Sequence, residues 1–99
     1  MDNKINAMLG FAAKAGQLLY GLDALAVSKK KVYCVIWDGT LSEKSYAALE
    51  ELARKKNAPL IKTDALIDDI LKKQNCKAVG VTGEQFAKAI INTIKIKGE

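Results

Sequence analysis

A chain that acts on a substrate needs side chains able to trade protons or form bonds, and this one holds few. It has no histidine, so a nucleophile activated by an imidazole base is excluded. Its two cysteines, Cys34 and Cys76, are far apart and form no C-x-x-C pair. A zinc site would have to combine them with carboxylates, an unusual ligand set. Cys34 lies inside VYCVI and reads as an inert buried thiol. Cys76 stands beside Lys77, whose charge would lower its pKa, but the simpler reading is a partly buried residue leading into a strand. Asp68 and Asp69 are neighbours on an expected helix and point to different faces, so they read as a solvated surface and not as an acid–base pair. Neither G-x-x-x-x-G-K nor G-x-G-x-x-G occurs. Nothing here proposes an enzyme, and no metal or cofactor is expected.

Binding chemistry is better represented. Sixteen Lys and Arg against eleven Asp and Glu give a net charge of +5, which suits a phosphate-rich partner without requiring one. The cations fall in runs: Lys29-Lys30-Lys31, Arg54-Lys55-Lys56, and Lys72-Lys73. The last two runs end expected helices, where cations suit the dipole. The first reads as a solvated lead into a strand or as a phosphate-binding run. Trp37, the only tryptophan, comes at a strand end, either as a stacking platform for a base or as an aromatic covering the sheet edge. Gly21 marks a sharp turn in AGQLLYGLDALAV, where backbone N–H groups can approach a ligand with no side chain in the way.

The elements that position these residues follow from periodicity. Ile5, Met8, Leu9 and Ala12 form a helical stripe, with Asp2 or Asn3 available as cap and Gly16 placed to end it. QLLY is too short to assign by periodicity alone. LDALAV reads as a short helix with Asp23 in its first turn. KVYCVIW is the clearest strand, apolar enough to be covered on both faces. It stops at DGT, and Thr40 with Glu43 reads as a capping box opening a helix that carries Tyr46, Leu49, Leu52 and Ala53. PLIK is a short strand. Thr63 is expected to cap a helix bearing Leu66, Ile67, Ile70 and Leu71. AVGVT is a strand, and Thr82 with Gln85 reads as a second capping box before a helix lined by Phe86, Ile90, Ile91 and Ile94. Alternation at this spacing predicts one domain spanning residues 1–99, an α/β sheet with helices on both faces. The loops at Tyr20–Gly21, Asp38–Thr40 and Thr82–Gly83, with KKQNCK before the last strand, are the candidate working surfaces. No apolar run reaches the roughly 18 residues of a membrane span, and MDNKIN lacks the pattern of a secretory signal, so a cytoplasmic protein is expected.

Several segments in order, LGFAAKAGQLLYG, KVYCVIWD, ARKKNAPLI and AVGVTGEQFAKAI, resemble the kink-turn-binding ribosomal protein family (L-seven-Ae and L-thirty-e), above all its short bacterial YlxQ-type branch. The resemblance runs from about residue 4 to 94. It implies a three-layer α/β/α sandwich around a mixed four-stranded sheet, and a non-catalytic protein that binds structured RNA bent like a kink-turn, as a monomer, on the ribosome or apart from it. The implied RNA-binding residues are Gly21, Leu22 and Asp23 at the second helix, Thr40 and Lys44 after the second strand, and Lys72, Lys73, Gln74 and Asn75 before the last strand. Ala24 stands where the family has Glu, and Val27 where it has a lysine; Lys29 or Lys30 is the substitute for that lysine. The loop at 72–75 is polar and basic where strong binders are apolar, which suits phosphate contact better than base packing. The alternatives are a member that kept the fold, lost kink-turn binding and serves as a protein-interaction module, or a small-molecule enzyme or sensor with a closed pocket.

Overall fold

The computed structural model describes residues 3–63, 66–72 and 76–97. Nine elements alternate: α1 (Asn3–Lys14), β1 (Leu18–Tyr20), α2 (Gly21–Val27), β2 (Cys34–Trp37), α3 (Glu43–Lys55), β3 (Leu60–Lys62), α4 (Ile67–Leu71), β4 (Ala78–Val81) and α5 (Glu84–Lys97). The sheet order is β1-β4-β2-β3. β4 runs antiparallel to both neighbours, and β2 and β3 are parallel. The chain is thus a small α/β domain with a mixed four-stranded sheet and five helices.

Period-two alternation splits the strand side chains between two faces. Leu18, Cys34, Ile36, Val79 and Val81 pack with Ile5, Leu9 and Ala12 of α1, Ile67 of α4, and Ala87 and Ile90 of α5. Val35 and Ala78 pack on the other face with Leu25 of α2, Leu49 and Ala53 of α3, and Val32. Both faces are therefore covered, which is why KVYCVIW and AVGV are apolar throughout. QLLY supplies β1, pinned by Leu18 opposite Val81 and Tyr20 opposite Val79. β4 carries Gly80 where α2 crosses it; a Cβ there would run into the Leu25 side chain, so the glycine sets how closely that helix lies on the sheet.

The helix ends differ from expectation in instructive ways. Gly16 does close α1, with its N–H on Ala13 O and Gln17 N–H on Ala12 O, the paired bonds of a Schellman end. Asn57 closes α3 the same way, through Arg54 O and Ala58 N–H on Ala53 O. Asn3 lies inside α1 and so is not its cap, while Asp2 lies outside the described residues. The Thr40–Glu43 capping box is not formed. Ser42 caps α3 through Ser45 N–H, because the Thr40 hydroxyl is taken by Asp38 at 2.6 Å. Thr63 does not cap α4 either: the cap position is Leu66, with no side-chain bond of its own. α5 begins at Glu84, a residue too late for Thr82 to be its cap. Among the described residues no helix is long and apolar enough to cross a membrane.

Candidate functional site

Strand directions sort the loops into two ends. At the near end β1, β2 and β3 finish and β4 begins; at the far end β2 and β3 begin and β4 finishes. Gly21, Leu22 and Asp23 follow β1, Thr40 and Lys44 follow β2, and Lys72 precedes β4, so all of these gather at the near end. Lys73, Gln74 and Asn75 lie outside the described residues. Lys29 and Lys30 lead into β2 and therefore sit at the far end, away from the rest. They cannot stand in for the lysine missing at Val27, because α2 carries the chain back to the opposite end of the sheet. Thr82 and Gly83 are at the far end too.

Asp38 organises the near end. It is 8% exposed. Its Oδ1 accepts the Thr40 N–H at 3.0 Å and the Thr40 hydroxyl at 2.6 Å. Its Oδ2 accepts the Ile67 N–H at 3.0 Å, supplying from 29 residues away the acceptor that the start of α4 lacks. Its own N–H reaches Lys77 O. One carboxylate thus ties the loop after β2, the start of α4 and the approach to β4 into one corner. Asp68 adds a second tie, its Oδ1 accepting the Cys76 N–H at 2.6 Å.

Around that corner stand Lys62, which periodicity does not mark as a site residue, and Lys77, the last residue of the KKQNCK loop. Lys62 ends β3 opposite Trp37. Its stem crosses Gly39, where a Cβ would lie 2.7 Å from Lys62 Cε, and its Nζ rests 5.6 Å from the centre of the Trp37 ring. Lys77 is exposed immediately before β4. Leu66, 44% exposed, adds an apolar surface beside them. Trp37 itself is half-buried, its ring 4.7 Å from that of Tyr46, and it packs on the α3 side of the core. It covers the sheet and holds Lys62 by a cation–π contact. Parallel register, which periodicity does not reveal, was the missing signal for Lys62.

Gly21 has φ +88° and nothing within 4 Å of where a Cβ would sit. Its backbone is open to a partner, and a side chain there would be strained. Lys72 takes the left-handed conformation at φ 57° and ends α4, its N–H on Asp68 O. Lys44, Lys62, Lys72 and Lys77 are exposed, as are Asp23, Glu43 and Asp69. The near end is thus mixed in charge, with defined polar geometry.

Both thiols are buried. Cys34 is fully buried, and burial pushes its pKa up to about 12. Desolvation, with a smaller contribution from Cys76, raises Tyr20. Among the described residues no three His, Cys, Asp or Glu side chains converge to hold a metal. A cleft of about 500 Å³ opens at the far end between Ala15, Gly16, Gln17, Lys30, Lys31, Tyr33 and Thr82.

One solved structure, from Bacillus halodurans C and described as a protein with unknown function, matches with a TM-score of 0.78 at 21% identity, over 95% of this chain and 99% of that one. At that identity the likeness is one of fold. No family model and no curated protein matches this chain.

Proposed function

We propose that this chain is a non-catalytic RNA-binding protein of L-thirty-e-like fold that grips a kink-turn or similarly bent RNA at the near end of its sheet. The observation that carries the reading is convergence: Gly21–Asp23, Thr40, Lys44, Lys72 and Lys77, separated in sequence, lie at one end of the sheet, where Asp38 ties Thr40, Ile67 and Lys77 together. The open backbone at Gly21 admits a phosphate or base edge. Lys44, Lys72 and Lys77 supply phosphate contacts that fix register, and Asp23 supplies an acceptor for a base or 2′-hydroxyl. Thr40 offers its hydroxyl oxygen as an acceptor only, since its proton is committed to Asp38. Ala24 and Val27 lower the affinity relative to a binder with the full Glu and Lys signature. Among the described residues the large exposed apolar side chains are Phe11 on α1, Val27 on α2 and Leu66 before α4.

The test is binding to a kink-turn RNA and to the same RNA with its sheared G·A pairs replaced by Watson–Crick pairs, at two salt concentrations. Submicromolar binding lost in the control supports the reading. Equal, weak and salt-sensitive binding to both removes it.

A further inference from the structure

The far end of the sheet is more basic than the near end. Lys29, Lys30 and Lys31 are exposed in a loop. Lys56 Nζ donates to Ser28 O at 3.2 Å, which brings the end of α3, with exposed Arg54 and Lys55, against that loop. Lys30 and Lys31 line one cleft with Ala15, Gly16 and Gln17, directly after Lys14 at the end of α1. None of these cations forms an ion pair among the described residues. The acids within reach are few. Glu50 and Glu51 lie one turn back on α3, and Glu84 is held by Lys88 at 3.3 Å.

Lys14, Arg54 and Lys55 stand in last turns, where cations are favoured by the helix dipole whatever the protein does. Lys29, Lys30 and Lys31 lie outside any helix. They are consecutive like charges, with Lys31 Nζ 5.1 Å from the centre of the Tyr33 ring, and such a run self-repels until a polyanion arrives. The cleft beside them is lined by Thr82, Tyr33 and Gln17, residues whose side chains carry hydroxyl and amide groups. Those groups suit phosphate oxygens, and an acidic peptide would instead look for an apolar socket to anchor a side chain.

We infer that the far end is a second nucleic-acid surface, in which Lys29, Lys30 and Lys31 contact the sugar–phosphate backbone without reading bases. It is separated from the near end by the length of the strands, roughly 13 Å for four residues. It stands independently of kink-turn recognition, because a backbone contact needs no sheared pairs.

The probe is therefore an unbulged RNA duplex of about 20 base pairs, titrated with the whole chain at several salt concentrations. The K29Q/K30Q/K31Q variant is expected to bind it about tenfold or more weakly at 0.1 M salt, with the log–log salt slope shallower by about two to three. A K44Q/K72Q/K77Q variant should lose less than about threefold on the same duplex. Thermal melts confirm that both variants fold. Equal binding by the first variant overturns the inference, as does absence of wild-type binding at 0.1 M salt. Polyglutamate competing as well as duplex, charge for charge, also overturns it and points to an acidic protein. Because the duplex holds no kink-turn, failure here leaves the near-end reading standing, and failure there leaves this one.

Discussion

Replacing Asp38 with alanine tests whether one carboxylate holds the near end together. The substitution removes three hydrogen bonds, from Thr40 N–H, Thr40 Oγ1 and Ile67 N–H. They are not equal. The Ile67 amide is buried, and losing its acceptor costs about 1–3 kcal/mol. The two Thr40 bonds are half-buried, so water replaces much of them, leaving about 1 kcal/mol between them. The sum is about 2–4 kcal/mol, a large share of the 5–15 kcal/mol typical of a domain. At about 4–8 °C per kcal/mol for a domain under 100 residues, Tm should fall by about 8–32 °C. Thermal melts followed by circular dichroism measure the fall, and urea unfolding the loss of stability, with Asp38→Asn expected in between, since its amide keeps one acceptor oxygen and turns a donor toward the other site. A stability of Asp38→Ala within about 0.5 kcal/mol of wild type, below the cost of one lost hydrogen bond, would refute the reasoning, because the start of α4 would then find its acceptor elsewhere.

Other outcomes follow from the same geometry. Gly21→Val should cost about 1–2 kcal/mol from the left-handed backbone and weaken RNA binding more than a near-end Lys→Ala change, as read by gel shift. Gly80→Val should destabilise by about 1–3 kcal/mol through overpacking against Leu25, measured by thermal melt. Lys72→Ala with Lys77→Ala should weaken kink-turn binding and flatten its salt dependence by about two units of slope. Cys34 should resist thiol reagents at pH 8 until the chain unfolds. Its folded pKa of about 12 lies above its ordinary 9.0, so the folded state holds the proton more tightly. Its stabilising contribution is complete below pH 9.0 and shrinks as pH rises toward 12; urea titrations across that window should show the loss, reduced in Cys34→Ala.

Much of this architecture is legible in sequence because it is carried by short-range pattern. The stripe of α1, the two-sided apolar run of β2 and β4, the glycine after α1 and Asp23 in the first turn of α2 are all where periodicity and capping rules put them. What was not legible depends on pairs distant along the chain. The cap of α4 is Asp38, 29 residues away, so the nearer Thr63 looked like the candidate. Thr40 looked like the cap of α3 until Asp38 claimed its hydroxyl. Lys62 joins the near end only through its register opposite Trp37. Lys29 and Lys30 stood as substitutes for the missing lysine only through the gapped match to the family; leading into β2 puts them at the far end. In each case the local rule was sound and a tertiary partner outbid it.

The claim that the near end is the RNA surface is tested most directly by amide shift mapping of the ¹⁵N-labelled protein during titration with kink-turn RNA at 0.3 M salt. The account predicts shifts gathered at Gly21–Asp23, Thr40–Lys44, Lys62 and Lys72–Lys77, with Lys29–Lys31 responding only when salt is lowered. Shifts confined to Lys29–Lys31 and the cleft at Gln17 and Thr82, with the residues around Asp38 unmoved, would contradict it.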